Sequence, residues 1–230
     1  MDQQAPGSVG GDSDAERTTA LDACTEAERR ASTIFEWRAG TVWNPNADTV
    51  LDVALDNLTL ARATLYAALL RADASGPVHS SSFPLPTSLS AAVNGLRKAG
   101  TTHHVPKGLL TASVCHALSG DSSRAVEDLN EALQIARRGP MPLYHADVLL
   151  TRARLFGSVG PVHTGHPAGP ETEPTDTTNE GGAAAGGNRP YPWDSTPQAD
   201  LAEARSLIEK HGYLRRLPEL EDAERAFGVE

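Results

Sequence analysis

An all-α fold built from paired antiparallel helices is what this sequence predicts, and three observations carry the prediction. Alanine is abundant while aromatic residues make up only 5% of the chain, a composition that favours helix over sheet. Apolar residues recur every three or four positions through most of its length, the period of a helix with one buried face. The pattern Ala-x3-Leu-x2-Ala occurs at Ala92, Leu96 and Ala99 and again at Ala125, Leu129 and Ala132, offset by 33 residues, which suits a repeated helical hairpin. Together these predict a right-handed solenoid of antiparallel helix hairpins, with about seven or eight helices in all.

Residues 1–11 are rich in Gly and Gln with little to bury, and are expected to be a disordered tail. Residues 12–157 hold the main run of helices. The first extends from Asp14 to Arg38, with Leu21, Cys24, Ala27, Ala31, Ile34 and Phe35 on one face; Gly40 and Asn44-Pro45 end it. The second is expected from an N-cap at Asp48 to Ala72. It carries one stripe at Leu51, Leu55, Leu58, Ala61, Leu65 and Ala68 and part of another at Val50, Leu60, Ala67 and Leu70. A helix apolar on two sides reads as an interior rod with neighbours on both. Gly76, Pro77, Pro84, Pro86 and a serine cluster make residues 73–87 a loop, and a third helix follows from Ser88 to Ala99.

Residues 105–139, VPKGLLTASVCHALSGDSSRAVEDLNEALQIARRG, form the clearest hairpin. Pro106 suits a first turn, Asp121 can cap the second helix, and Arg137, Arg138 and Gly139 close it. Leu109, Ala112, Ser113, His116, Gly120, Ala125, Leu129 and Ala132 fall at the offsets of a tetratricopeptide repeat, which the stretch resembles. A further helix from Leu143 to Phe156 turns Leu143, Ala146, Leu150 and Ala153 inward. Residues 158–194 are a Gly/Pro/Thr-rich insertion with no helical period, expected to be disordered, with Tyr191 and Trp193 as its stickiest residues. Residues 195–230 hold the last repeat helix and a cap helix. Ser195 and Gln198 have capping-box spacing, Leu201, Ala204, Leu207 and Ile208 supply a buried face, His211-Gly212 ends it, and Leu217 to Phe227 is a charged terminal helix.

Beyond the generic repeat, MPLYHADVLLTRARL at 141–155 and YPWDSTPQADLAEARSLIEKHGYLRRLPELEDAE at 191–224 resemble the last helices of bacterial tetratricopeptide regions. Those regions end large multidomain proteins, often behind a nucleoside-triphosphatase of the STAND or NACHT type. The resemblance is strongest at Asp200, Ala204, Leu207, Ile208, Gly212, Tyr213, Arg215, Arg216, Glu219 and Leu220. It implies a sensing or interaction arm, either free-standing or part of a longer product. No G-x4-GK[ST] motif occurs, so no nucleotide site is carried over.

Histidine is the one residue type that invites an enzyme reading. His103, His104, Cys115 and His116 lie close in sequence, with His145 and Asp147 one repeat later. Helical metal ligands need three or four residues between them, whereas Cys115 and His116 are adjacent and His145 and Asp147 are two apart. The expectation is therefore no catalytic residue, no metal site and no cofactor, with His116 in a position usually given to an aromatic packing residue. Glu127, Asp128, Glu131 and the run Glu219, Glu221, Asp222, Glu224 read as solvated faces.

Binding is the better-supported class, since stacked hairpins leave a concave face lined by the first helix of each pair. In this register the groove positions of the central repeat are Lys107, Leu110, Val114 and Leu118, apolar after the opening lysine. Their occupant is either a helix or apolar segment of a protein or peptide partner, or the chain's own second helix. Arg215 and Arg216 could hold an acidic group, with Glu219 or Glu221 as internal candidates. A net charge of −10 opposes nucleic-acid binding. No 18-residue apolar run calls for a membrane span, and MDQQAPGSVGGDSD lacks the basic start and apolar segment of a secretory signal, so the cytoplasm is expected. Cys24 and Cys115 are expected as reduced, buried thiols.

Overall fold

Where the sequence is rich in Ala, Leu, Arg and Glu, the backbone's cheapest way to pair its N–H and C=O groups is the helix. The computed structural model describes residues 10–40, 49–75, 85–157 and 191–229. It is all-α: α1 is Gly10–Ala39, α2 Val50–Ser75, α3 Thr87–Lys98, α4 Val105–Leu118, α5 Ser122–Arg138, α6 Pro142–Phe156, α7 Pro197–His211 and α8 Leu217–Ala226. Single 3-10 turns at Thr102–His104 and Leu214–Arg216 lead into α4 and α8. Among the described residues there is no strand. Of the expected tail, residues 1–9 lie outside the described residues, while Gly10 and Gly11 belong to α1.

Capping side chains explain where the helices begin. Ahead of α2, Thr49 Oγ1 accepts from the Asp52 N–H at 3.1 Å while the Asp52 carboxylate accepts from the Thr49 N–H at 3.0 Å. That reciprocal pair satisfies two orphan donors; the expected cap, Asp48, lies outside the described residues. Asp121 caps α5 as expected, accepting from the Arg124 N–H at 3.1 Å after a turn in which Gly120 takes φ 88°. The α7 cap is Thr196, accepting from the Ala199 N–H at 3.1 Å, one residue on from the expected Ser195. Gly212, at φ 72°, lets the Tyr213 N–H return to the Ile208 carbonyl at 2.9 Å and stops α7.

The chain divides into two compact units, Met1–Val148 and Leu149–Glu230, with the boundary inside α6. In the first, each of α1 to α4 packs on the next helix in sequence, and α4 packs most closely on α5. α2 buries Ala54, Leu58, Ala61 and Leu65 on one side and Ala63 and Ala67 on another, as expected of an interior rod. Over Val50–Arg71 it is also long and apolar enough to cross a membrane. Its packing against α1, α3 and α4 accounts for that composition. Small residues set the spacing: a Cβ on Gly95 would lie 2.7 Å from the Ala54 Cβ, and one on Gly108 2.9 Å from Leu96 Cδ1. Leu96, Leu109 and Leu129 are fully buried with Ala92, Ala125 and Ala132. Each such leucine contributes about 2 kcal/mol of apolar burial. Arg38 pairs with Asp56 at 2.6 Å and Thr64 donates to Glu28 at 2.9 Å, joining α1 to α2.

In the second unit α7 packs on α8 through Leu201, Ala204, Ile208, Leu220 and Ala223, all buried. Of the insertion expected at 158–194, residues 158–190 lie outside the described residues. Tyr191 and Trp193 are packed inward. Tyr191 donates to the buried Asp200 at 2.6 Å, and Trp193 lies 4.3 Å from the Arg152 guanidinium with its ring edge-on to Phe156 at 5.4 Å. Two aromatic rings with polar tips can bury their area only where a partner meets the tip, and Asp200 and Arg152 supply it.

Candidate functional site: a cleft beside His116

The first unit holds a cleft of about 490 Å³ walled by three of its helices. Leu85, Pro86 and Leu89 form one side, Val93 and Ala112 the apolar floor, and His116, Arg124, Glu127 and Asp128 the polar side. Ser90, Asn94 and Arg97 stand on the α3 rim.

His116 comes from the last turn of α4, and Asp128 from the second turn of α5. The three residues between the helices fold α5 back so that His116 Nδ1 lies 2.8 Å from Asp128 Oδ2. Both side chains are 16% exposed. Burial pushes the Asp128 carboxyl above its ordinary range, the His116 bond pulling partly the other way. The contact spends one ring nitrogen of His116 and one carboxylate oxygen of Asp128. The cations around the cleft are engaged: Arg97 reaches Glu131 at 2.6 Å and Arg124 lies 3.4 Å from Asp121. Glu127 has no hydrogen bond or ion pair among the described residues.

Comparison with protein-family models, with curated proteins and with solved structures finds no match. The chemistry of the site therefore rests on its own residues.

The expected groove lies elsewhere on α4. Lys107, Leu110, Val114 and Leu118 are all half-buried, and none lines the cleft, which takes Ala112 and His116 from that helix. Arg62 of α2 crosses the start of that row, donating to Thr111 Oγ1 at 3.0 Å and to the Lys107 carbonyl at 3.3 Å. Arg216 reaches Glu219 at 3.4 Å on the surface, while Arg215 is exposed. The residue that fastens the C-terminal helix is Arg205, whose Nε and terminal nitrogen bind both oxygens of Glu224, with the Nε bond at 2.8 Å; the Glu224 side chain is 10% exposed.

Among the described residues no three His, Cys, Asp or Glu side chains are grouped to hold a metal ion. His103 and His104 pack ring on ring at 4.2 Å, and His145 faces Arg137 at 3.3 Å. The Cys115 thiol is buried and pushed up to about 12, so the reactive thiolate is suppressed. Cys24, expected to be buried, is half-exposed on α1. The His116–Asp128 pair is hidden in the sequence because its two residues lie on different helices, 12 positions apart. Folding the α4–α5 hairpin about its short turn is the signal that brings them together.

Proposed function

We propose that this protein is a non-catalytic interaction module, a right-handed stack of tetratricopeptide-like hairpins that holds a protein partner in the cleft beside His116. Such an arm would serve a bacterial signalling or conflict system in the cytoplasm. The observation that carries this reading is the cleft itself, a concavity of about 490 Å³ built by side chains of successive helices. Close glycine contacts at Gly95–Ala54 and Gly108–Leu96 support the stacking, since close approach of neighbouring rods is what such a repeat requires. The cleft's volume also lies in the range of small-molecule pockets. That favours, as second reading, a peptide or small-molecule sensor that regulates a neighbouring effector.

Asn94, exposed on the α3 rim, provides the test. Cross-linking of the full chain in extracts of its native host should capture a protein, and Asn94→Trp, which fills the cleft, should abolish that capture. Ser123→Trp, exposed on α5 and outside the cleft, should leave it intact. Equal capture by both variants, or none by the unmodified chain, would overturn the interaction reading.

A further inference from the structure

We propose that the end of the first unit where α3 and α5 finish and α4 begins is a docking surface for an acidic segment of a partner protein. This surface is separate from the cleft: none of Lys98, Lys107 and Arg138, the cations that define it, lines that space.

The chain segregates its charge. It carries 30 acidic and 20 basic residues, yet no Asp or Glu falls within residues 74–120 or within residues 132–146. Those two stretches include the whole of α3 and α4 and the last turns of α5. The fold then gathers their ends. The 3-10 turn Thr102–His104 packs on α3, α4 and α5, and Arg97 of α3 reaches Glu131 of α5 at 2.6 Å. The last residues of α3 and α5 therefore lie beside the first turn of α4. Lys98 and Arg138 are exposed there and Lys107 is half-buried, and none of the three has a carboxylate partner among the described residues. Glu131, the last acid before them on α5, is already held by Arg97.

A cation at the C-terminal end of a helix, such as Lys98 or Arg138, answers the helix dipole and needs no ligand. The start of α4 is the opposite case. A helix N-terminus favours a capping side chain and acidic residues, but α4 has neither a side-chain cap nor an acid in its first turn, and Lys107 stands third in it. Arg62 of α2 adds positive charge there, donating to the Lys107 carbonyl at 3.3 Å. In the turn that leads into α4, Thr101 Oγ1 and His104 Nδ1 are buried without hydrogen-bond partners. The chain leaves this end short of negative charge and of acceptors, and carboxylates from outside supply both. Cations spread over three helix ends match a run of carboxylates better than one small anion. A nucleic acid would run past the patch onto the acidic remainder of the chain, which repels it.

The test is fluorescence anisotropy of the full chain at about pH 7.5 and low salt, with the labelled, end-blocked peptide Gly-Glu-Asp-Glu-Asp-Gly as probe. The same peptide with Gln and Asn in place of Glu and Asp is the control. Saturable binding is expected, at least about tenfold tighter than for the control and weakened at least about threefold when salt reaches about 0.3 M. Lys98→Glu with Arg138→Glu should weaken it about tenfold. Lys210→Glu with Arg215→Glu, the same change of charge at exposed positions of the second unit, should leave it within about twofold. Should the first double reversal not fold, Lys107→Gln still decides: it removes a cation that opposes the α4 dipole, so the peptide should weaken about threefold with no fall in melting temperature. No saturable binding, equal affinity for the control peptide, equal losses from the two reversals, unchanged affinity in Lys107→Gln, or tighter binding of a single-stranded oligodeoxythymidine of equal charge would overturn the proposal. Asn94→Trp, in the cleft, should leave the peptide bound as before, so the cleft reading and this one fail separately.

Discussion

The hairpins α4–α5 and α7–α8 each bring an acid and a base together across a turn, yet the two pairs are left in different states. Arg205 presents a planar fork that takes both oxygens of Glu224 and also reaches Glu209 at 3.1 Å. His116 meets Asp128 through one ring nitrogen, so its other ring nitrogen and one carboxylate oxygen stay outside that bond, beside a cleft. The lesson is that geometry of the base, more than burial, separates a fastener from a site. A guanidinium can satisfy both oxygens of a carboxylate, whereas an imidazole meets only one of them.

The sharpest way to break the comparison is at the fastener. Arg205→Ala leaves Glu224 buried without its cation. Removing one partner of a fully buried pair costs roughly 3–5 kcal/mol, and with the arginine 36% exposed the expected loss is about 2 kcal/mol. Urea denaturation of the full chain measures it, and a loss under about 0.5 kcal/mol would place this pair among ordinary surface contacts. Next is the apolar seam on which the other hairpin depends. Ala132 is fully buried, so Ala132→Leu should cost about 1–2 kcal/mol by overpacking, while Gln134→Leu on the exposed face should stay within about 0.5 kcal/mol. Equal melting temperatures for the two would deny that α5 packs by its alanine face.

His116→Phe keeps the ring and removes the bond. It should cost about 1 kcal/mol by leaving Asp128 without a partner, and His116→Phe with Asp128→Leu should recover most of that loss. A single substitution as stable as the unmodified chain would mean that the pair is held for binding alone.

Smallest is the pH effect at the entry to α4. His104 Nδ1 is buried without a hydrogen bond, and burial, with His103 and Lys107 nearby, holds the ring below its ordinary value. The unfolded chain then takes up a proton before the folded one does. The stability tied to neutral His104 is complete above about pH 6.5 and is lost as pH falls below it. His104→Gln should lose less stability than the unmodified chain between pH 7.5 and pH 5.5 in parallel denaturation curves, and identical pH profiles would remove His104 from the account.

What could be read in advance was what depends on one helix at a time. The α4–α5 hairpin was legible because Pro106, Asp121 and Gly139 punctuate it and Ala125, Leu129 and Ala132 share a face; all three are fully buried. α2 was legible as an interior rod for the same reason. The α7 cap was displaced by a residue because two adjacent residues could serve, and Thr196 takes the place expected of Ser195. The site was not legible. Glu127, Asp128 and Glu131 look like any solvated helix face until α5 is folded against α4. Asp128 is then buried by His116, and Glu131 is bound by Arg97, 34 residues away. Glu224 likewise looks in sequence like part of an acidic run, and only the packing of α8 on α7 sets it against Arg205.

The segment between α6 and α7 leaves one unit from a gripped residue and rejoins the same unit at another. A side chain on Gly157 would sit 2.5 Å from the Ala153 carbonyl and from Phe227, while Trp193 is pressed against Phe156 and Arg152. With both stems clamped, changing the length between them alters closure entropy only logarithmically and need not tug on either helix. A fluorescent or affinity reporter spliced there would be anchored at both ends by packed residues.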